Sequence, residues 1–180
     1  MKCEDVERIL LSREDLDGII QKLGQQITKE YQGKKLLMVG ILKGCFMFMA
    51  DLIRYIELPC QMDFMICSSY GAGTESSGQI KIVKDLSIPT EDCDILIVED
   101  IIDSGNTLCY VKNLLTERGC KSIKLCTLFD KPSRREAPVY ADYIGYEIAN
   151  EFIVGYGLDF NERYRNLPYV GILKPEAYQV

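Results

Sequence analysis

Between residues 94 and 129 the chain sets down two near-continuous apolar runs, Asp94 to Glu99 and Ser122 to Phe129. Between them Leu108, Val111, Leu114 and Leu115 mark a helix that ends at Gly119. Runs this apolar suit strands buried on both faces, as in parallel sheets. Strand, helix and strand in so short a span make a βαβ unit, and with it a parallel sheet. The 180 residues fit one domain, 1–180, large enough to bury a core without disulfide or metal staples. The expected class is therefore α/β, a central mostly parallel sheet with flanking helices.

The rest of the chain agrees. Leu16, Ile19, Ile20, Leu23 and Ile27 share one helical face, with Ser12 placed to cap it and Gly33 beyond its end. Leu36 to Leu42 reads as a buried strand meeting a loop at Lys43-Gly44, and 45–56 as a packed helix. Met62, Phe64 and Ile66 alternate in the manner of a strand. The small, polar, glycine-rich stretch 68–78 reads as an exposed lid, with Ile80 to Val83 returning to form a flexible hairpin. Apolar stretches near 143–148 and 152–154 are expected to complete the sheet or cover its edge, with a small, partly separate hood.

Composition removes whole classes of chemistry. The chain has no histidine, so Ser-His-Asp triads, Cys-His dyads and histidine metal sites are excluded. A net charge of −6 disfavours nucleic-acid or anionic-membrane partners. The eight cysteines contain no C-x-x-C pair, and Cys45, Cys67, Cys109 and Cys126 lie in apolar segments, so reduced thiols in a cytoplasmic protein are expected. No apolar stretch approaches the ~20 residues of a membrane span.

What remains is the segment Glu99-Asp100-Ile101-Ile102-Asp103-Ser104-Gly105-Asn106-Thr107. In open α/β sheets ligands bind beyond the carboxyl ends of strands, which is where this segment falls. Amides at a helix start, with the Ser104 and Thr107 hydroxyls, form a phosphate cradle that needs no lysine, and Gly105 permits close approach. The acids cannot hold phosphate. They suit hydrated Mg²⁺, sugar hydroxyls or a developing positive charge. Gly71 to Ser76 faintly mimics a dinucleotide fingerprint but opens no helix, which disfavours an oxidoreductase.

The Glu99–Thr107 run resembles the phosphoribosyl-pyrophosphate signature of the type I phosphoribosyltransferases, in the form of their hypoxanthine-guanine branch. Ser104 stands where that family more often has Thr, which keeps the hydroxyl. The resemblance implies that Glu99, Asp100, Ile102, Asp103, Ser104, Gly105, Asn106 and Thr107 hold the phosphoribosyl group, with Asp103 as the acid–base residue. It implies a pyrophosphate site at Leu42, Lys43 and Gly44 with a cis peptide before Lys43, the lid dipeptide Ser69-Tyr70, and Arg165. It implies purine contacts from Lys131, Phe152, Ile153 and Asp159, and Mg²⁺ ligation by Glu99, Asp100 and Asp159. The activity so implied is Mg²⁺-dependent purine salvage: transfer of ribose 5-phosphate from phosphoribosyl pyrophosphate to hypoxanthine or guanine by a homodimer or homotetramer. A non-catalytic nucleotide-sensing regulator on the same fold is the alternative.

Overall fold

Ser12 Oγ accepts from the Asp15 amide while the Asp15 carboxylate accepts from the Ser12 amide, so a reciprocal cap starts α1 (Arg13–Glu30) where the sequence predicts it. In the computed structural model, which describes residues 3–69 and 80–178, the chain runs β1 (Val6–Leu11), α1, β2 (Leu36–Leu42), α2 (Phe46–Leu52), β3 (Gln61–Ser69), β4 (Ile80–Lys84), β5 (Asp94–Ile102), α3 (Asn106–Glu117), β6 (Ser122–Asp130), β7 (Tyr143–Glu147), β8 (Ile153–Val154), β9 (Val170–Leu173) and α4 (Pro175–Tyr178). Short 3₁₀ turns follow α2 and β6. The lid expected at 68–78 falls mainly outside the described residues, which hold only its flanking strands, β3 and β4, paired antiparallel.

Six strands form the main sheet in the order β4-β3-β2-β5-β6-β7, parallel except for β4. The alternation within its central strands explains why they are apolar throughout. Leu36, Met38, Leu96, Val98, Cys126 and Leu128 pack against α1 and α2. Their neighbours Leu37, Val39, Ile95, Ile97 and Leu125 pack with Leu108, Val111 and Leu115 of α3 on the opposite face. Both faces are dry, as the βαβ reading requires.

Three boundaries differ from expectation. The helix expected over 45–56 ends at Leu52, and 53–55 follows as a 3₁₀ turn. β5 runs three residues past Glu99, because Glu99, Ile101 and Ile102 still pair with Thr127, Phe129 and Asp130 of β6. The acids Glu99 and Asp100 therefore belong to a strand end and not to the loop after it. The apolar run at 152–154 joins a second sheet instead of the first, in the order β1-β9-β8, built from both ends of the chain. This small sheet is the hood. Its residues Leu11, Ile153, Val170 and Ile172 share the core of the α1/α2 face.

The chain turns one way from β2 to β3 and the other way from β5 to β6, so the strand order reverses between β2 and β5. A crevice opens outside the carboxyl ends of adjacent strands at such a switch point. Here those ends are Leu42-Lys43-Gly44 and Glu99 to Asp103.

Candidate active site

The turn leaving β5 presents its amides through a left-handed glycine conformation. Gly105 sits at the helix start with φ +81° and offers no side chain to cap α3, where only Ser104 Oγ approaches, at 3.5 Å from the Asn106 amide. A left-handed conformation of this kind is open to glycine at little cost. The first amides of the helix are left to a ligand, and the macrodipole favours an anion there. A cavity of about 160 Å³ lies against this turn, lined by Glu99 and by 101–108.

A second cavity, of about 240 Å³, lies next to it. It is lined by Asp100, Ile101, Asp103, Lys131, Glu151, Phe152, Ile153, Leu158 and Asp159. Ile101 and Asp103 face both cavities. Lys131, carried at the end of β6, is buried, and its ammonium donates to the Glu151 carbonyl at 3.0 Å. Phe152 lines this cavity and is stacked on Tyr178, with centroids 4.8 Å apart and rings 19° from parallel. Phe160 meets it edge-on at 5.6 Å. Tyr178 and Phe160 together hold the Phe152 ring at the edge of the cavity.

The β2 loop closes tightly on the β5 acids. The Leu42–Lys43 peptide is cis. A Cβ on Gly44 would fall 1.8 Å from Asp100 Oδ2, and one on Gly157 (φ +98°) would fall 2.4 Å from the Gly44 carbonyl. Gly44 is thus pressed between a carboxylate and another main chain, and neither glycine has room for a side chain. The loop bearing Gly157 holds further residues at positive φ, among them Tyr156, Asn161, Glu162 and Tyr164. Such backbone is uncommon and gathers at ligand sites.

Electrostatics separate the acids. Burial pushes the Glu99 carboxyl well above its usual range, and the neighbouring Asp100 adds repulsion. Asp100 is also raised by burial. Glu99 Oε2 is buried without a hydrogen-bond partner among the described residues. Asp159 lines the second cavity with Asp100, and its carboxylate lies 2.8 Å from Arg165. Arg165 also donates to the Gly157 carbonyl at 2.7 Å, and Lys43 pairs with Glu162 at 3.0 Å. In this structure, then, both cations of the expected pyrophosphate site are engaged with the 157–162 loop.

Most of the residues singled out in the sequence converge on the two joined cavities and the β2 loop beside them. Tyr70 lies outside the described residues, and of Ser69 only the backbone, at the end of β3, is described. A larger cavity of about 520 Å³ opens between α1 and α2 against Asp17, Asp51, Tyr55 and Tyr156, and none of the expected site residues lines it. Sequence reasoning missed Glu151, whose contribution is a main-chain carbonyl, and Gly157, whose need appears only where two loops touch. It also missed Arg135, whose sole signal is a charged run after a strand.

Comparison with known proteins gives concordant results. Residues 8–161 match the family model described as the phosphoribosyl transferase domain. The chain is 52% identical over 179 residues to a hypoxanthine-guanine phosphoribosyltransferase of Bacillus subtilis, covering 99% of each. It is 54% identical over 174 residues to a bifunctional TilS/HprT protein of Listeria innocua, where it covers 97% of this chain and spans only 27% of that relative's length. A crystal structure of a hypoxanthine phosphoribosyltransferase from Staphylococcus aureus superposes with a TM-score of 0.93 at 52% identity, covering 97% of this chain and 95% of that one.

Proposed function

The chain belongs to the phosphoribosyltransferase family, and from that premise we propose that it salvages purines, joining hypoxanthine or guanine to the ribose 5-phosphate of phosphoribosyl pyrophosphate. The observation that carries this reading is the shared wall of the two cavities. Asp103 faces both the phosphate turn and the Lys131–Phe152 compartment. A phosphate held in the first brings C1′ of its ribose to that wall, and a flat base in the second brings N9 to the same place.

In the reaction the bond from C1′ to pyrophosphate breaks as the N9–C1′ bond forms. The ring proton that the base gives up is accepted at Asp103, which raises the nucleophilicity of N9. The Lys131 ammonium donates to the 6-oxo group, and the Phe152 ring, held by Tyr178 and Phe160, stacks on the base. The ribose gains cationic character, which neighbouring carboxylates favour. Amides of the cis-peptide loop at Lys43-Gly44 face the leaving group, and Arg165 turns to it from Asp159. Ser69 and Tyr70 are assigned to the closing lid, which would exclude water from the donor.

The donor set suits Mg²⁺. It is made of hard oxygens, and one of them, Glu99 Oε2, is buried without a partner among the described residues. Among those residues no three acidic or cysteine side chains converge as a ready cage. Mg²⁺ keeps several waters and takes further ligands from substrate phosphates, so acids that do not converge can hold it through water. Glu99, Asp100 and Asp159 would hold it. When bound it supplies neutralisation of the charge that develops on pyrophosphate. We place the reaction in the cytoplasm and expect a homodimer or homotetramer. Among the described residues no helix is long and apolar enough to cross a membrane. The regulator alternative draws no support from the relatives, which are named as transferases.

The test is an assay of nucleotide formation from phosphoribosyl pyrophosphate with each of hypoxanthine, guanine, xanthine and adenine, with and without Mg²⁺. Mg²⁺-dependent products from the first two are expected. Absence of product with every base overturns the reading.

A further inference from the structure

The phosphate turn has a mechanical difficulty. Its amides must stay free for the ligand, and its helix start has only a long contact of 3.5 Å from the Asn106 amide to Ser104 Oγ. Beside two side-chain links, Arg134 Nε to Asp103 Oδ1 at 3.5 Å and Asn106 Nδ2 to Glu136 Oε2 at 3.0 Å, its orientation is fixed through the carbonyls of Asp103 and Ser104. Both are taken by one segment. The amides of Glu136 and Ala137 donate to the Ser104 carbonyl at 2.9 and 3.0 Å. Arg135 Nη1 donates to the Asp103 carbonyl at 2.8 Å.

Arg135 is no ordinary surface arginine. Its side chain is 10% exposed, and its Nη2 is ion-paired with the Asp130 carboxylate, which is 12% exposed. Its stem lies along the turn, and a Cβ on Gly105 would be 3.3 Å from Arg135 Cδ. Asp130 immediately precedes Lys131, whose amide donates to the Ile102 carbonyl at 3.1 Å. One guanidinium thus bridges the main chain of the acid–base residue and the strand end that carries the base-reading lysine. Arginine's planar fork can make both contacts together, whereas lysine offers a single point charge.

We propose that Arg135 is a positioning residue for the transfer, setting the phosphate turn and Asp103 in register with Lys131 without touching substrate. The proposal rests on the transferase reading above. Losing the guanidinium leaves a buried carboxylate and a carbonyl without partners, and the turn is free to shift. A displacement near 1 Å in a site of this kind costs up to about 100-fold.

The experiment compares the wild type with Arg135→Met and Arg135→Lys. Calorimetry measures ribose 5-phosphate binding, steady-state kinetics measures kcat and both KM values, and thermal melting measures stability. For Arg135→Met, weaker ribose 5-phosphate binding and lower kcat are expected, each by about 10–100-fold, with the KM for hypoxanthine moving far less than that for the donor. Added guanidinium ion should restore part of the kcat. Arg135→Lys should fall between the two. A lowered melting temperature with unchanged ribose 5-phosphate affinity and kcat overturns the proposal, because it marks a strut for the fold alone. Should Arg135→Met fail to fold, Arg135→Lys and Asp130→Asn carry the same criterion. A wild type inactive with every base sinks the transferase reading, whereas an active wild type matched by its variants sinks only the role of Arg135.

Discussion

Replacing Asp103 by asparagine keeps the size of the side chain and removes its capacity to accept a proton. Turnover should fall by about 10²–10⁴ while donor binding is nearly retained, which single-turnover kinetics and a donor titration would measure. Lys131→Ala removes the ammonium that lines the second cavity. The preference for 6-oxo over 6-amino purines should shrink, read as the ratio of kcat/KM for hypoxanthine and adenine. Gly44→Ala forces a methyl group into the Asp100 carboxylate. A loss of about 100-fold in kcat/KM is expected with an unchanged circular dichroism spectrum, since the collision is local to the strand ends. Legible in the residues themselves was the contiguous stretch Glu99 to Thr107, whereas the scattered Lys43, Lys131, Phe152, Asp159 and Arg165 came only with the family resemblance. Arg135 and Gly157 were not legible, because each acts on main chain far away in sequence, and residue type alone does not report which carbonyl or backbone it meets.

At the level of elements, periodicity and capping located α1, β2 and α3 within a residue or two, since each has one face or two faces committed to the core. β1 and β9 escaped notice. β1 exposes Glu7, Arg8 and Ile9 in a row and buries only Leu11, and β9 is four residues long, so neither has a pattern that stands out without its partner. The overrun of β5 was hidden for a related reason, because acids at a strand end look like loop until the pairing with β6 is seen. One ion pair joins the segment after β4 to the end of α3: Arg118 Nη1 and Nη2 grip the two oxygens of Asp85 at 2.7 and 2.5 Å. The bond to Arg118 holds the Asp85 carboxyl below its ordinary value of 3.8. Its stabilising effect is therefore complete above that value and fades as pH falls through the lowered one. With Asp85 44% exposed, the contribution is at most about 1 kcal/mol. Chemical denaturation of Arg118→Met should show a small deficit near neutral pH that vanishes in acid and narrows in high salt.

Over the whole molecule, the α/β class followed from one βαβ unit; a small hood was expected as well, but not the segments that build it, because it is stitched from residues 6–11 and 153–173 across nearly the full chain. Thiol chemistry gives a global check on packing. Cys45, Cys93 and Cys126 are buried, and burial raises the thiol pKa of Cys45 and Cys126. Thiolate is the reactive form, so these three should resist a disulfide reagent in the native state and react with the rest in guanidinium chloride. Asp103 and Ile101, common to both cavities, also bear on how the protein could be blocked. Two fragments, one anionic and one planar, each forfeit their own rotational and translational freedom on docking. Tethered by a linker that crosses the partition, they forfeit it once, and the second docks at an effective concentration in the millimolar range for a short flexible linker. An inhibitor of that design would outbind the sum of its halves by geometry alone, and lengthening the tether would erase the advantage.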